Sequence, residues 1–267
     1  MTARAIVLTG FGINCDVETA FALGQAGANA DRVHLNDVIA EPDVLDAYQV
    51  FVIPGGFSFG DDVASGKILA NRLRYRLGGQ LRQFVRNGKL ILGICNGFQV
   101  LVKMGMLPML SGDFVQEVTL TFNDSGRFED RWVHLRTEPG TKCVWLNGIT
   151  DMELPVRHGE GKFIPRDSDV LNRMKTEGLA ALRYVRPDGA PAQGEFPANP
   201  NGSIEDIAGI CDVTGRVFGL MPHPEGHICR MQHPRWTRER DAAPDSPAIG
   251  LRVFENAVNY VRRHLAA

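Results

Sequence analysis

Residues 50–53 (VFVI) and 90–92 (LIL) are unbroken apolar runs of strand length, and between them Ile68, Leu69, Leu73, Leu77, Leu81, Phe84 and Val85 recur at three- and four-residue intervals. A run that is apolar on both faces suits a strand covered on both sides, and the intervening periodicity predicts an amphipathic helix. Asn87-Gly88 supplies its stop signal. A strand, a crossover helix and a second strand place the two strands parallel, and such sheets bind ligands at the carboxyl ends of their strands. Ala5-Ile6-Val7-Leu8 adds a further strand of the same kind. The expected fold is therefore α/β, a mostly parallel sheet flanked by helices.

The second half reads differently. Alternation in 116–136 predicts two strands of a more antiparallel region, joined near Asn123-Asp124-Ser125-Gly126. Further strands are expected at 181–185, 207–213 and 217–221, the last two joined by Thr214-Gly215-Arg216. A closing helix is expected over 248–265, after a Pro-rich surface loop at 241–247. With no repeats or low-complexity tract, residues 1–267 read as one domain carrying an extra segment near 226–247.

Charge and cysteine usage narrow the functional classes. The net charge of −2 gives no reason to expect a nucleic-acid or anionic-membrane partner. No apolar run reaches the length of a membrane span or signal-peptide core. Five cysteines, scattered at 15, 95, 143, 211 and 229, suit a reducing compartment better than a disulfide framework. A cytoplasmic protein with free thiols is the expectation.

Interest concentrates on Pro54-Gly55-Gly56-Phe57-Ser58 and Gly93-Ile94-Cys95-Asn96-Gly97, each after its own strand. The second has the glycine spacing of a nucleophile elbow with cysteine in place of serine. In such a turn the backbone N–H of Asn96, at a helix N-terminus, can face an oxyanion. By itself this motif is as compatible with a buried core cysteine as with a nucleophile. The Gly55-Gly56 turn could supply a second donor to the same region. Two rival motifs fail: 60–67 has five residues between its glycines and Ile68 where a P-loop needs a hydroxyl, and Gly10-Phe11-Gly12 lacks the third glycine of a dinucleotide fingerprint.

A thiol nucleophile needs a base, because the thiolate is the reactive form. His223 stands out among seven histidines, since in Met221-Pro222-His223-Pro224-Glu225 an extended backbone would turn residues 223 and 225 to one side. His134 and His158 are weaker bases. Arg157-His158-Gly159-Glu160-Gly161-Lys162 is too polar for a core strand and reads as a surface turn or a loop near the site. His223, His227, Cys229 and His233 match no familiar zinc spacing, so no metal ligands are expected.

Together these pieces resemble class I glutamine amidotransferases, whose triad is a cysteine on an elbow, a histidine and a glutamate two residues later. Pro54–Ser58, Gly93–Gln99, Gly126-Arg127-Phe128-Glu129, Arg157–Phe163 and Met221–Glu225 narrow the resemblance to the glutaminase subunits of phosphoribosylformylglycinamidine synthase. The resemblance implies Cys95 as nucleophile, His223 as general base and acid, and Glu225 as its orienter. It implies an oxyanion hole from the Gly56 and Asn96 N–H groups, and a substrate-glutamine contact at Gln99. It further implies no cofactor on this chain, with ATP and magnesium on a large synthase subunit, and a small third subunit beside it. Phe59 departs from the tyrosine of the family pattern, and 226–245 exceeds the shorter members. Two other readings stay open on the residues: another cysteine hydrolase on the same fold, and a non-catalytic scaffold subunit.

Overall fold

The computed structural model describes residues 2–112, 114–238 and 243–265. Its main sheet has nine strands: β1 (Arg4–Thr9), β2 (Asn29–His34), β3 (Val50–Ile53), β4 (Leu90–Ile94), β6 (Glu129–Thr137), β7 (Asp151–His158), β9 (Ala180–Val185), β10 (Ile207–Cys211) and β11 (Val217–Leu220). Their spatial order is β2-β1-β3-β4-β11-β10-β9-β6-β7. The first five are mutually parallel, and every pairing from β11 to β7 is antiparallel. β5 (Val118–Thr121) and β8 (Lys162–Pro165) form a separate antiparallel pair.

The helices α1 (Asp16–Gln25) and α3 (Lys67–Arg86) follow β1 and β3, while the short α2 (Leu35–Ala40) follows β2. The crossover through α1 runs outward to β2 and that through α3 runs inward to β4. Right-handed crossovers in opposite directions put their helices on opposite faces of the sheet. α3 packs with α4 (Asn96–Met104), and α1 packs with α6 (Ile249–His264). The apolar stripe of α3 is buried from Leu69 to Val85, and Gly88 past its end takes a left-handed φ of 80°. β3 and β4 are buried at every residue, as their unbroken apolar runs require.

Three expectations need correction. The two strands flanking 123–126 are not paired to each other: β5 pairs with β8, whereas β6 pairs with β7 and β9. Arg157-His158 is the end of β7 rather than a surface turn, and His158 is buried. Glycines 159 and 161 begin only after the strand has delivered that histidine inward. Finally, His223 is extended, but Pro224–Gly226 is a single 3-10 turn. The 226–247 segment continues through a second 3-10 turn at Arg230–Gln232 and returns by a bridge between Cys229 and Pro247; its residues 239–242 lie outside the described part. α5 (Ser168–Thr176) links β8 to β9.

Candidate active site

Parallel pairing brings the two halves of the site together. β4 and β11 are adjacent, with Ile94 opposite Leu220, so the chain leaves both strands at the same edge. Cys95 follows one and His223 the other. The Cys95 N–H donates to the Leu220 carbonyl at 2.8 Å, which pins the elbow to the end of β11. The loops after β1 and β3 emerge at this same carboxyl edge, where such sheets place ligands.

The elbow is strained and tightly built. Cys95 has φ 51° and ψ −105°, a conformation disfavoured for an L-residue and held only by its surroundings. A Cβ on Gly93 would lie 2.5 Å from the Gly97 carbonyl oxygen, and one on Gly97 would fall onto the Ile53 carbonyl oxygen. Both glycines are therefore demanded by close backbone approach. Asn96 opens α4, so its N–H has no partner within the helix.

The Gly55-Gly56 peptide is clamped from one side. The N–H groups of Asn14 and Cys15 both donate to the Gly55 carbonyl, each at 3.1 Å. In a trans peptide the next N–H points the opposite way, so the Gly56 N–H is turned from that loop. It makes no hydrogen bond among the described residues. Gly56 has φ 150°, and a Cβ there would lie 2.6 Å from the Gly12 carbonyl oxygen. Gly55 lies against His223: a Cβ on it would sit 2.8 Å from the ring's Cε1.

His223 and Glu225 are almost fully buried and pair at 2.5 Å between Nδ1 and Oε1. The 3-10 turn at Pro224 folds the carboxylate back onto the ring, which replaces the extended geometry expected from the two prolines. Burial opposes the imidazolium, but the Glu225 carboxylate and the neighbouring sulfurs of Cys95 and Cys15 outweigh it. The ring is thereby held well above its ordinary pKa. Such an environment favours the imidazolium form of the ring. The Cys95 thiol also donates to the Arg157 carbonyl at 3.6 Å.

Gln99 has both ends of its amide occupied. Its Oε1 accepts from Asn96 Nδ2 at 2.9 Å, and its Nε2 donates to the Glu160 carbonyl at 2.6 Å. It thus ties the start of α4 to the loop after β7. Asn96 reaches further, donating to Asp61 Oδ1 and accepting from the Ser58 N–H, both at 3.2 Å. Asp61 also holds Ser65 Oγ at 3.0 Å and the Gly66 N–H at 3.2 Å.

Residues 157–161 border the site from β7. His158 accepts no role as a base: burial, reinforced by the charge of His223, lowers its pKa to about 3. Its Nδ1 lies 3.1 Å from Asn123 Oδ1, and Asn123 Nδ2 donates back to the His158 carbonyl at 2.8 Å. Asn201 contacts the other ring nitrogen at 3.4 Å and donates to the Tyr184 hydroxyl at 3.1 Å. His134 stands on the edge hairpin, 3.7 Å from Glu153. His227 and His233 pack edge-on against Trp132 and do not join His223.

The residue that sequence reasoning missed is Cys15. Its sulfur, a ring nitrogen of His223 and a Glu225 oxygen all lie within 4.8 Å of one another. Nothing in the spacing of Gly12-Ile13-Asn14-Cys15 marks it, because the contact arises only when the loop after β1 packs under Gly55.

Residues 2–261 match the family described as the CobB/CobQ-like glutamine amidotransferase domain. "Phosphoribosylformylglycinamidine synthase subunit PurQ" of Dehalococcoides mccartyi is 44% identical over 260 residues, covering 97% of this chain and 98% of the relative. The subunit of the same name from Methanococcus maripaludis is 42% identical over 268 residues, covering 97% and 98%. A chain in the structure of PurLQS from Thermotoga maritima superposes with a TM-score of 0.71 at 31% identity, covering 98% of this chain and all of that one. This chain is a glutamine amidotransferase with the class I fold, and it belongs to the family of the PurQ subunit of phosphoribosylformylglycinamidine synthase.

Proposed function

We propose that the chain hydrolyses glutamine through Cys95, His223 and Glu225 and passes the ammonia to a synthase partner. The observation that carries this reading is the buried His223–Glu225 pair set beside a cysteine in a strained elbow. The Cys95 thiolate attacks the side-chain carbonyl carbon of glutamine. The Gly56 and Asn96 N–H groups receive the oxyanion, each such donor being worth roughly 3–4 kcal/mol in the transition state. His223, protonated at the outset, gives its proton to the departing ammonia, leaving a thioester on Cys95. The neutral ring then takes a proton from water, the resulting hydroxide opens the thioester, and glutamate leaves. Glu225 keeps the ring oriented and stabilises its charged form. Gln99 acts by fixing α4 against the 157–161 loop, which borders the glutamine side chain.

The partner is a large synthase subunit that binds ATP and magnesium and converts formylglycinamide ribonucleotide to formylglycinamidine ribonucleotide; a small third subunit completes the assembly. The names of the relatives and of the PurLQS structure support this arrangement. No cofactor is assigned to this chain, and it works in the cytoplasm; no described helix is long and apolar enough to cross a membrane. The test is Cys95→Ala in the assembled complex with saturating glutamine. Glutamate release is expected to fall by about 10⁴-fold or more, with assembly intact. Retained release would remove Cys95 from the mechanism.

A further inference from the structure

Cys15 stands outside every step above, yet its thiol meets the base and its carboxylate. Its sulfur, a His223 ring nitrogen and a Glu225 oxygen lie within 4.8 Å of one another. The two partners are buried, and each keeps an unpartnered polar atom: Nε2 of His223 and Oε2 of Glu225 have no hydrogen bond among the described residues. A desolvated carboxylate oxygen without a donor is costly, and a cation satisfies it. Cys15 itself is 9% exposed and is the outermost of the three, so it gives an approaching ion its first ligand.

The donor set is one sulfur, one imidazole nitrogen and one carboxylate oxygen. Zinc binds these at about 2.3 Å to sulfur and about 2.0–2.2 Å to nitrogen and oxygen, with tetrahedral donors about 3.4–3.6 Å apart. Donors already within 4.8 Å reach that spacing by movements of about 1 Å. Thiolate and imidazole select a soft or borderline cation over magnesium. The magnesium that accompanies ATP on a partner would therefore leave the site empty.

We infer that Cys15, His223 and Glu225 form an inhibitory site for a thiophilic divalent cation, zinc being the natural candidate, which switches the glutamine site off reversibly. Binding displaces the thiol proton of Cys15 and the proton on the His223 ring nitrogen that takes the metal, and both protons pass to solvent. The ring's lone pair then goes to the metal, and His223 can neither protonate ammonia nor activate water. A chelator restores activity by reversing the same exchange.

This inference rests on His223 serving the glutamine site, but its first readout is spectroscopic and independent of turnover. The reduced full-length chain is titrated with cadmium, following sulfur-to-metal charge-transfer absorption, for the wild type, Cys15→Ser, Cys15→Ala and Cys95→Ala. The wild type and Cys95→Ala are expected to bind one tight equivalent that both Cys15 variants lack. Each protein's half-inhibitory zinc concentration, relative to its own uninhibited glutamate release, is expected to be about tenfold or more higher in the folded Cys15 variant than in wild type. A tight equivalent retained in Cys15→Ser and lost in Cys95→Ala would place the metal on the nucleophile instead and overturn the inference. So would equal zinc sensitivity of Cys15→Ser and wild type. Loss of glutamate release in Cys95→Ala beside a missing cadmium equivalent would refute the metal site while leaving the glutamine reading intact.

Discussion

Two buried histidines at the site titrate in opposite directions. His223 is lifted because the Glu225 carboxylate and the sulfurs of Cys95 and Cys15 stand beside its ring, whereas His158 meets amides and feels the charge of His223. Burial drives His158 from its ordinary 6.5 to about 3, so it stays neutral in the folded state where the unfolded chain would protonate. Between those two values the unfolded state binds more protons, and stability rises with pH. His158 therefore contributes stability that is full near neutrality and is lost as pH falls from about 6.5 towards about 3. At pH ~4 the loss is about 3 kcal/mol. Denaturant melts of wild type and His158→Gln across this range check it: the variant is expected to be weaker at neutrality, and the gap is expected to narrow in acid. A gap independent of pH would contradict a neutral buried His158. At this scale His223, Glu225 and Cys95 were legible as residue types at telling positions, but their reason was partly different. The prolines around His223 do not keep the chain straight; one of them starts the turn that delivers Glu225. Cys15 carried no local signal, since its place depends on the packing of two loops far apart in sequence.

Among the elements, those covered on both faces were the readable ones. β3, α3 and β4 carry unbroken apolar runs and a clean helical period, and they lie where expected. β2 is an edge strand of sequence NADRVH with little buried, so it has no apolar pattern to detect. β7 alternates Met152, Leu154 and Val156, but Pro155 inside it argues against a strand; the position is tolerated because β7 is the last strand of the sheet. The pairing of β5 with β8 was hidden for another reason. Proximity in sequence favours a hairpin with β6, while β6 instead completes the main sheet between β9 and β7. The junction of β4 and α4 yields a sharp prediction. A methyl on Gly97 has nowhere to go except against the Ile53 carbonyl, so Gly97→Ala must push α4 off β3. The expected cost is about 3 kcal/mol, read from denaturant midpoints, with loss of glutamate release. A variant as stable as wild type would show that the elbow is looser than described.

For the whole molecule, the sheet edge gathers residues from four separate loops, and the remaining half of the chain supports it from β7, β9 and the 226–247 segment. That segment docks on the edge hairpin: Arg235 meets both carboxylate oxygens of Glu153, at 3.0 and 2.8 Å, and the His227 ring meets the Glu153 carbonyl at 2.8 Å. α6 opens against the same turn, with the Gly250 N–H donating to the His227 carbonyl at 2.9 Å. The mouth of the site presents Phe11, Phe57 and Phe128 to solvent, with Phe11 stacked on Phe59. A synthase partner that presses on this loop would move the Gly56 peptide, so glutamate release by the isolated chain is expected to be slow and to rise by about a few hundredfold with partner and its ligands, the worth of one oxyanion donor. Equal steady-state rates with and without the partner would contradict that coupling.

The central claim is that Cys95, with a second thiol close by at Cys15, is the nucleophile. Mass spectrometry of the intact and digested chain after reaction with an electrophilic glutamine analogue tests it most directly. One adduct per chain is predicted, on the peptide containing Cys95, and glutamine should protect against it. An adduct on Cys15, or on any other cysteine, would contradict the account.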